Sequence, residues 1–203
     1  NIPSCLITFS PNPFYVLSDK PKPITLQSQD FKLKTLEEIG LDKVLIIPFT
    51  EQFSQTTAQV FAETVLKDLF NPEVISVGIN HYFGHKKEGD LAFLKVFCQE
   101  NDIKLHVPEM IEHEGSTISS SLIRSLILDG NSSKVYDYLG RFYGFNAKIV
   151  SGSNRGKTMN YPTANFIPTF KNQLLPSTGV YFSRVFLDGE NYFGMTNAGI
   201  RPT

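Results

Sequence analysis

Cysteine is scarce in this sequence: Cys5 and Cys98 stand far apart among 203 residues, with no Cys-x-x-Cys and no dense Cys/His spacing. Neither a zinc site nor a disulfide framework is indicated, and a reducing cytoplasm suits the chain best. Long hydrophobic runs are also lacking. No apolar run is longer than Val44 to Ile47, far below the roughly 20 residues that cross a bilayer, so no membrane partner is expected. Nor is there an excess of one charge: 19 Lys plus Arg face 20 Asp plus Glu. Without a basic block to follow a phosphate backbone, nucleic acid is not expected as a partner either. Internal repeats and low-complexity tracts are missing. The first residue is Asn1 rather than Met, no signal-like segment follows it, and Asn197 to Thr203 stop within what reads as a strand and turn. The chain is therefore read as an internal piece of something longer.

What is present is an ordinary globular composition, 41% apolar, enough for a core in one large or two small domains. Ser4 to Ser10 reads as a buried strand stopped by Pro11-Asn12-Pro13, and loops at such strand ends carry ligands in open α/β sheets. A helix capped by Asp30 follows, with Leu33, Leu36 and Ile39 inward and Gly40 at its stop. Lys43 to Phe49 is a second strand. Thr56 or Thr57 opens a helix with Phe61, Val65 and Leu69 at i, i+4 and i+8, ended by Asn71-Pro72. Glu73 to Gly78 is the third strand. Asp90 caps a helix presenting Leu91, Leu94 and Cys98, and Ile103 to Val107 is the fourth strand. Such alternation predicts a parallel sheet covered by helices, a nucleotide-binding α/β domain.

Ser119, Ser120 and Ser121 precede Leu122, Ile123, Leu126 and Ile127, which places a serine cluster at a helix N-terminus, with Gly130 at its end. Ser133 to Leu139 is a further short helix. After Gly140 the helical period gives way to short β-type runs at Ala147 to Val150, Ala164 to Ile167, Val180 to Leu187 and Tyr192 to Thr196, the last two joined by the hairpin pair Asp188-Gly189. Domains are expected over residues 1–132 and 138–203.

Ser151 to Asn165 concentrates chemistry. Gly152 and Gly156 permit close backbone approach, Arg155 and Lys157 supply charge, and Thr163 and Asn165 offer neutral oxygens that suit a hard cation. Gly152 to Thr158 nearly spells a P-loop. It has three residues between its glycines instead of four, however, and Met159 to Pro162 cannot comfortably open a helix. A solvated glycine hairpin loop is the plain alternative.

The order of motifs narrows the choice. Gly152-x-x-x-Gly156-Lys157, Pro162-Thr163-Ala164-Asn165, Leu175-Pro176-x-x-Gly179-Val180-Tyr181 and Asn197-x-Gly199-x-x-Pro202-Thr203 together resemble the flavokinase (riboflavin kinase) module. Lys157 stands where that family has Arg, and Asn160-Tyr161 where it has Gly-Phe. The resemblance assigns Mg²⁺ and the ATP phosphates to Thr163 and Asn165, with Gly152, Gly156 and Lys157 beside them. It also implies a general base, a Glu on a strand beyond Thr203.

Ile118-Ser119-Ser120-Ser121-x-Ile123-Arg124 resembles the ISSTxIR signature of the nucleotidyltransferase module that makes FAD from FMN and ATP. Hydroxyls and free N–H groups at a helix N-terminus bind an anion, and Arg124 adds a phosphate donor one turn on. An ordinary serine-capped helix has the same local pattern. Val77-Gly78-x-Asn80-x-x-Phe83-Gly84, with Gly89-Asp90, resembles that module's VGxDFxFG…GD stretch and implies flavin binding by Gly78 and Asn80; His81 replaces the usual Phe. Phe9-Ser10-Pro11-Asn12-Pro13 resembles TFxPHP, with Asn12 for His. The module's HxGH loop would precede Asn1. His81 and His85 lack a third ligand and are not read as a metal site.

The chain is thus identified as resembling the bifunctional bacterial riboflavin kinase/FAD synthetase family. That resemblance implies a Rossmann-like nucleotidyltransferase domain followed by a partial antiparallel β-barrel, with riboflavin, FMN, FAD and ATP as ligands and Mg²⁺ as cofactor. A non-catalytic flavin or nucleotide-binding module, and a nucleotidyltransferase with a degenerate kinase domain, are the competing readings.

Overall fold

The computed structural model describes residues 2–21, 23–152 and 163–199. Its backbone is mixed α/β, and contacts divide it into two compact units, Asn1–Lys22 with Leu41–Glu112, and Pro23–Gly40 with His113–Thr203.

The first unit opens with β1 (Cys5–Ser10), which pairs in parallel with β2 (Lys43–Pro48), Cys5 opposite Lys43 and Ser10 opposite Pro48. A single turn, α1 (Phe14–Leu17), follows β1. The helix α3 (Ala58–Phe61) is capped by Thr57, whose side chain accepts from the Val60 N–H at 3.2 Å. From Ala62 to Phe70 the turns widen to π-helical spacing, and the element ends at Asn71 in the left-handed region, φ 43°. This widening overturns the expected inward stripe. An i→i+5 turn rotates later residues off the α-helical face, so Ala58, Phe61 and Ala62 are buried whereas Leu69 is 63% exposed.

β3 (Val74–Ser76) and β4 (Lys104–His106) also pair in parallel, joined by the crossover helix α4 (Leu91–Glu100). Asp90 caps α4 by accepting from the Phe93 N–H at 2.9 Å. The core gathers Ala62, Ile75, Phe97 and Cys98, with Leu66 and Phe83 packed against them.

In the second unit, α2 (Gln29–Glu38) is capped by Ser28, which accepts from the Phe31 N–H, rather than by Asp30, which lies in the first turn. Ile39 is 72% exposed, because it forms the helix end instead of the inner face. α5 (Ser120–Leu128) and α6 (Ser132–Leu139) pack through Ile123, Ile127 and Val135 around Leu174. The segment before α2 is bound to the loop around Gln173. The Thr25 N–H donates to the Asn172 carbonyl, the Leu174 N–H donates to the Thr25 carbonyl, and Gln173 Nε2 donates to the Leu26 carbonyl at 2.9 Å. Beyond the short strands β5 (Glu112–His113) and β6 (Ser116–Thr117), two antiparallel pairs follow, β7 (Ala147–Val150) with β8 (Asn165–Pro168), and β9 (Gly179–Leu187) with β10 (Glu190–Ala198). Asp188 and Gly189 turn the second hairpin with φ 50° and 86°, the pair of left-handed residues that a right-twisted two-residue hairpin needs. No closed barrel forms among the described residues.

Candidate active site

The serine cluster lies where its spacing placed it. Ser119 is the N-cap of α5 and accepts from the Leu122 N–H at 3.2 Å, which leaves its hydroxyl proton to donate elsewhere. Ser120 and Ser121 form the exposed first turn, where backbone N–H groups lack helical partners. A cavity of about 340 Å³ opens at this end of the helix, lined by Ile118, Ser119, Ser120, Leu139, Arg141 and Tyr143 among others. Ser121 and Arg124 do not line it. Arg124 is held beside it by its Nε donating to the Ile24 carbonyl and its Nη1 to the Ser120 carbonyl, both at 3.3 Å. Three of its five N–H donors remain.

Tyr143 forms one wall. Its hydroxyl donates to the Leu174 carbonyl at 2.8 Å and accepts from Gln173 Nε2 at 2.8 Å. Burial pushes the phenol up to about 12, against smaller opposing effects of Gln173, Arg141 and Arg124. It therefore stays neutral and serves as wall, not as base. Arg141 and Tyr143 escaped the sequence reading, in which Gly140 only marks where the helical period gives way to β-type runs.

In the first unit, the loop after β3 carries Gly78 and Asn80. Nothing lies within 4 Å of where a Gly78 side chain would begin, and the Gly78 carbonyl accepts from the His81 N–H at 3.0 Å. Asn80 is exposed. The His81 ring stacks on Phe83 with 6.0 Å between centroids, and burial lowers its pKa. The far end of the loop is clamped to α3: Glu88 Oε1 accepts from the Ala58 N–H at 2.7 Å, and the His85 N–H donates to the Thr56 carbonyl. A side chain on Gly84, φ 73°, would begin 2.6 Å from the Ala58 nitrogen. Phe9, Phe49, Phe53, Phe61, Phe83, Phe93 and Phe97 make successive ring contacts through this unit. A second cavity, about 400 Å³, lies at the C-terminal end of β2 between Pro48, Phe53 and Thr56.

In the β7–β8 pair, Asn165 stands opposite Val150. Gly152 lies two residues beyond the end of β7, beside Asn165. An ideal Cβ on Gly152 would fall onto the Asn165 side-chain amide, whose oxygen is its farther terminal atom at 3.4 Å. Thr163, just before β8, is exposed. Arg155, Gly156 and Lys157 lie outside the described residues.

Parallel strands bridged by a helix, followed by antiparallel hairpins, define a mixed α/β protein. The FAD synthetase family model matches residues 1–122, and the chain belongs to that family. The riboflavin kinase model matches residues 139–203. The chain is 31% identical over 204 residues to the bifunctional riboflavin kinase/FMN adenylyltransferase of Escherichia coli K12, covering all of this chain and 64% of that protein. To the protein of that name from Listeria monocytogenes it is 29% identical, covering 98% of this chain and 63% of the relative. It thus spans somewhat less than two thirds of these relatives. A crystal structure of a macrolide-efflux protein from Streptococcus pneumoniae superposes with a TM-score of 0.85 at 29% identity, over 99% of this chain and 65% of that one. No helix among the described residues is long and apolar enough to cross a membrane.

Proposed function

We propose that the chain belongs to a bifunctional flavin-cofactor enzyme that phosphorylates riboflavin to FMN and adenylylates FMN to FAD, using ATP for both. One observation carries the reading: the two family models match in series, residues 1–122 and then 139–203. The parallel pairs β1–β2 and β3–β4 support a Rossmann-like sheet for the adenylyltransferase, with domains over 1–132 and 138–203. On β9 and β10, Val180, Phe182, Phe193 and Met195 are all at least 66% exposed, and such an apolar face supports a sheet that continues as a barrel. The free thiols of Cys5 and Cys98 suit a cytoplasmic location.

In the kinase reaction the ribityl 5′-hydroxyl attacks the γ-phosphorus of ATP and ADP leaves. Thr163 and Asn165 hold the phosphates, while Gly152 leaves room for the Asn165 amide, and Gly156 and Lys157 contribute from the intervening loop. A hydroxyl and an amide oxygen suit Mg²⁺, which keeps several waters and is bound largely through substrate phosphates. The ion would supply charge neutralisation there. In the adenylyl transfer an FMN phosphate oxygen attacks the α-phosphorus of ATP and pyrophosphate leaves. Ser119, Ser120, Ser121 and Arg124 bind phosphate oxygens as charge builds, and Gly78 and Asn80 contact the flavin.

Incubation of the intact protein with riboflavin, ATP and Mg²⁺, followed by chromatography of the flavins, tests this. FMN and FAD should both form. Thr163→Ala should abolish FMN formation while leaving FAD formation from supplied FMN. Neither product from the unaltered protein would mean a binding module in place of an enzyme, and FAD without FMN would mean a degenerate kinase domain.

A further inference from the structure

We propose that Arg141 is a further phosphate-binding residue of the site at the α5 N-terminus, so that the adenylyl-transfer subsite for the nucleotide polyphosphate is completed by a residue from the segment matching the riboflavin kinase model. The inference rests on the adenylyltransferase reading above.

The cavity draws its lining from both matched segments: Ile118, Ser119 and Ser120 fall within residues 1–122, and Leu139, Arg141 and Tyr143 within 139–203. All six belong to one compact unit. Gly140, φ 64°, ends α6 in the left-handed region, and this reversal carries the next residue, Arg141, back to the cavity. Its guanidinium is permanently charged. The hydrogen bond it makes is local, from Nη1 to the Phe142 carbonyl at 3.1 Å, and no carboxylate pairs with it among the described residues. Arg124 stands nearby in the same condition, bound to backbone carbonyls. Both guanidinium charges lie near enough to the Tyr143 phenol to oppose its upward shift, while Arg141 itself lines the cavity.

Two uncompensated cations, a serine hydroxyl proton not used by the helix cap, and free N–H groups at a helix N-terminus all favour the same kind of occupant, an anion with several acceptor oxygens. The apolar walls, Ile118, Ile123 and Leu139, lower the local dielectric and so strengthen each of these contacts. A nucleotide's polyphosphate, released as pyrophosphate in adenylyl transfer, has that chemistry. Arg141 offers the planar fork that binds two phosphate oxygens, a geometry lysine lacks.

The test uses Arg141→Gln and Arg141→Lys in the intact protein, titrated with magnesium pyrophosphate by calorimetry and assayed for both reactions. Arg141→Gln should weaken pyrophosphate binding and raise the ATP KM of FAD formation by about 10-fold or more, as expected for loss of a charge-assisted contact. Arg141→Lys should restore part of the loss. The ATP KM of riboflavin phosphorylation should change by less than about twofold, which also shows that the variant is folded. Pyrophosphate affinity within about twofold of the unaltered protein in Arg141→Gln overturns the proposal, as does an equal rise in both ATP KM values. If the unaltered protein makes no FAD, the adenylyltransferase reading fails separately, and the pyrophosphate titration still decides whether Arg141 binds the anion.

Discussion

The side-chain amide of Asn165 occupies the space that a side chain on Gly152 would need. The pairing of Asn165 with Val150 at the end of β7 brings Gly152, two residues on, against the Asn165 side chain. Gly152→Ala must therefore displace Asn165 or shift the strand end. If Asn165 holds ATP phosphates, this single methyl should lower riboflavin phosphorylation by about 10-fold or more, because misplacement of a positioning group by about 1 Å can cost 10²-fold. FAD formation from supplied FMN should be unchanged. Steady-state rates of the two reactions on the same preparation check both statements.

Ser119 and Ser120 separate helix capping from ligand binding. Ser119 accepts from the Leu122 N–H, so Ser119→Ala should cost about 1 kcal/mol of stability as well as activity. Ser120 makes no cap. Ser120→Ala should leave the denaturant midpoint close to that of the unaltered protein and still raise the ATP KM of FAD formation. Equal midpoints with equal KM values would remove Ser120 from the phosphate site.

Features set by neighbouring residues could be read from the sequence; those set by distant ones could not. Asp90 and Thr57 cap their helices because each bonds an N–H three residues on, and Asp188-Gly189 turns its hairpin through its own backbone. Ser28 took the capping role expected of Asp30, since either can accept from the first turn and only the chain's entry angle decides. The π-helical turns after Ala62 leave no residue pattern distinct from an α-helix. Nothing in the spacing of Ser119 and Arg141 predicts that they border one cavity, because α5 and α6 must first pack through Ile123 and Val135. Gly152 and Asn165 stood out as chemistry-bearing residues, whereas the strand pairing that brings them side by side became visible only in the fold.

Glu88 is a helix cap supplied from 30 residues away. Its carboxylate accepts from the Ala58 N–H, and Ala58 is 1% exposed, so water cannot replace the lost acceptor. Glu88→Ala should destabilise the protein by about 1–3 kcal/mol, the cost of an unsatisfied buried donor. Glu88→Gln keeps an acceptor oxygen but loses the favourable charge at the α3 N-terminus, and should cost about 0.3–1 kcal/mol. Chemical denaturation of both variants gives the comparison. If Glu88→Ala is as stable as the unaltered protein, the clamp on the loop bearing Asn80 is not held by this contact.

Tyr143 gives the pH dependence a definite sign. The folded phenol titrates near 12 against an ordinary value of 10.0, so the folded protein retains a proton that the unfolded chain releases earlier. Its contribution to stability is fully present below about pH 10 and is lost as pH rises through about 12. Part of the ring remains open to solvent, and screening reduces the contribution to the order of 1 kcal/mol. Among the eight tyrosines of the sequence, alkaline titration followed by tyrosinate absorbance should show a late component that disappears in Tyr143→Phe. The same variant removes the donor to the Leu174 carbonyl but leaves Gln173 bonded to Leu26. It should therefore lose about 1–3 kcal/mol at neutral pH and lose less further stability between pH 10 and 12 than the unaltered protein. An unchanged titration curve in Tyr143→Phe would show that burial of this phenol is not what delays its ionisation.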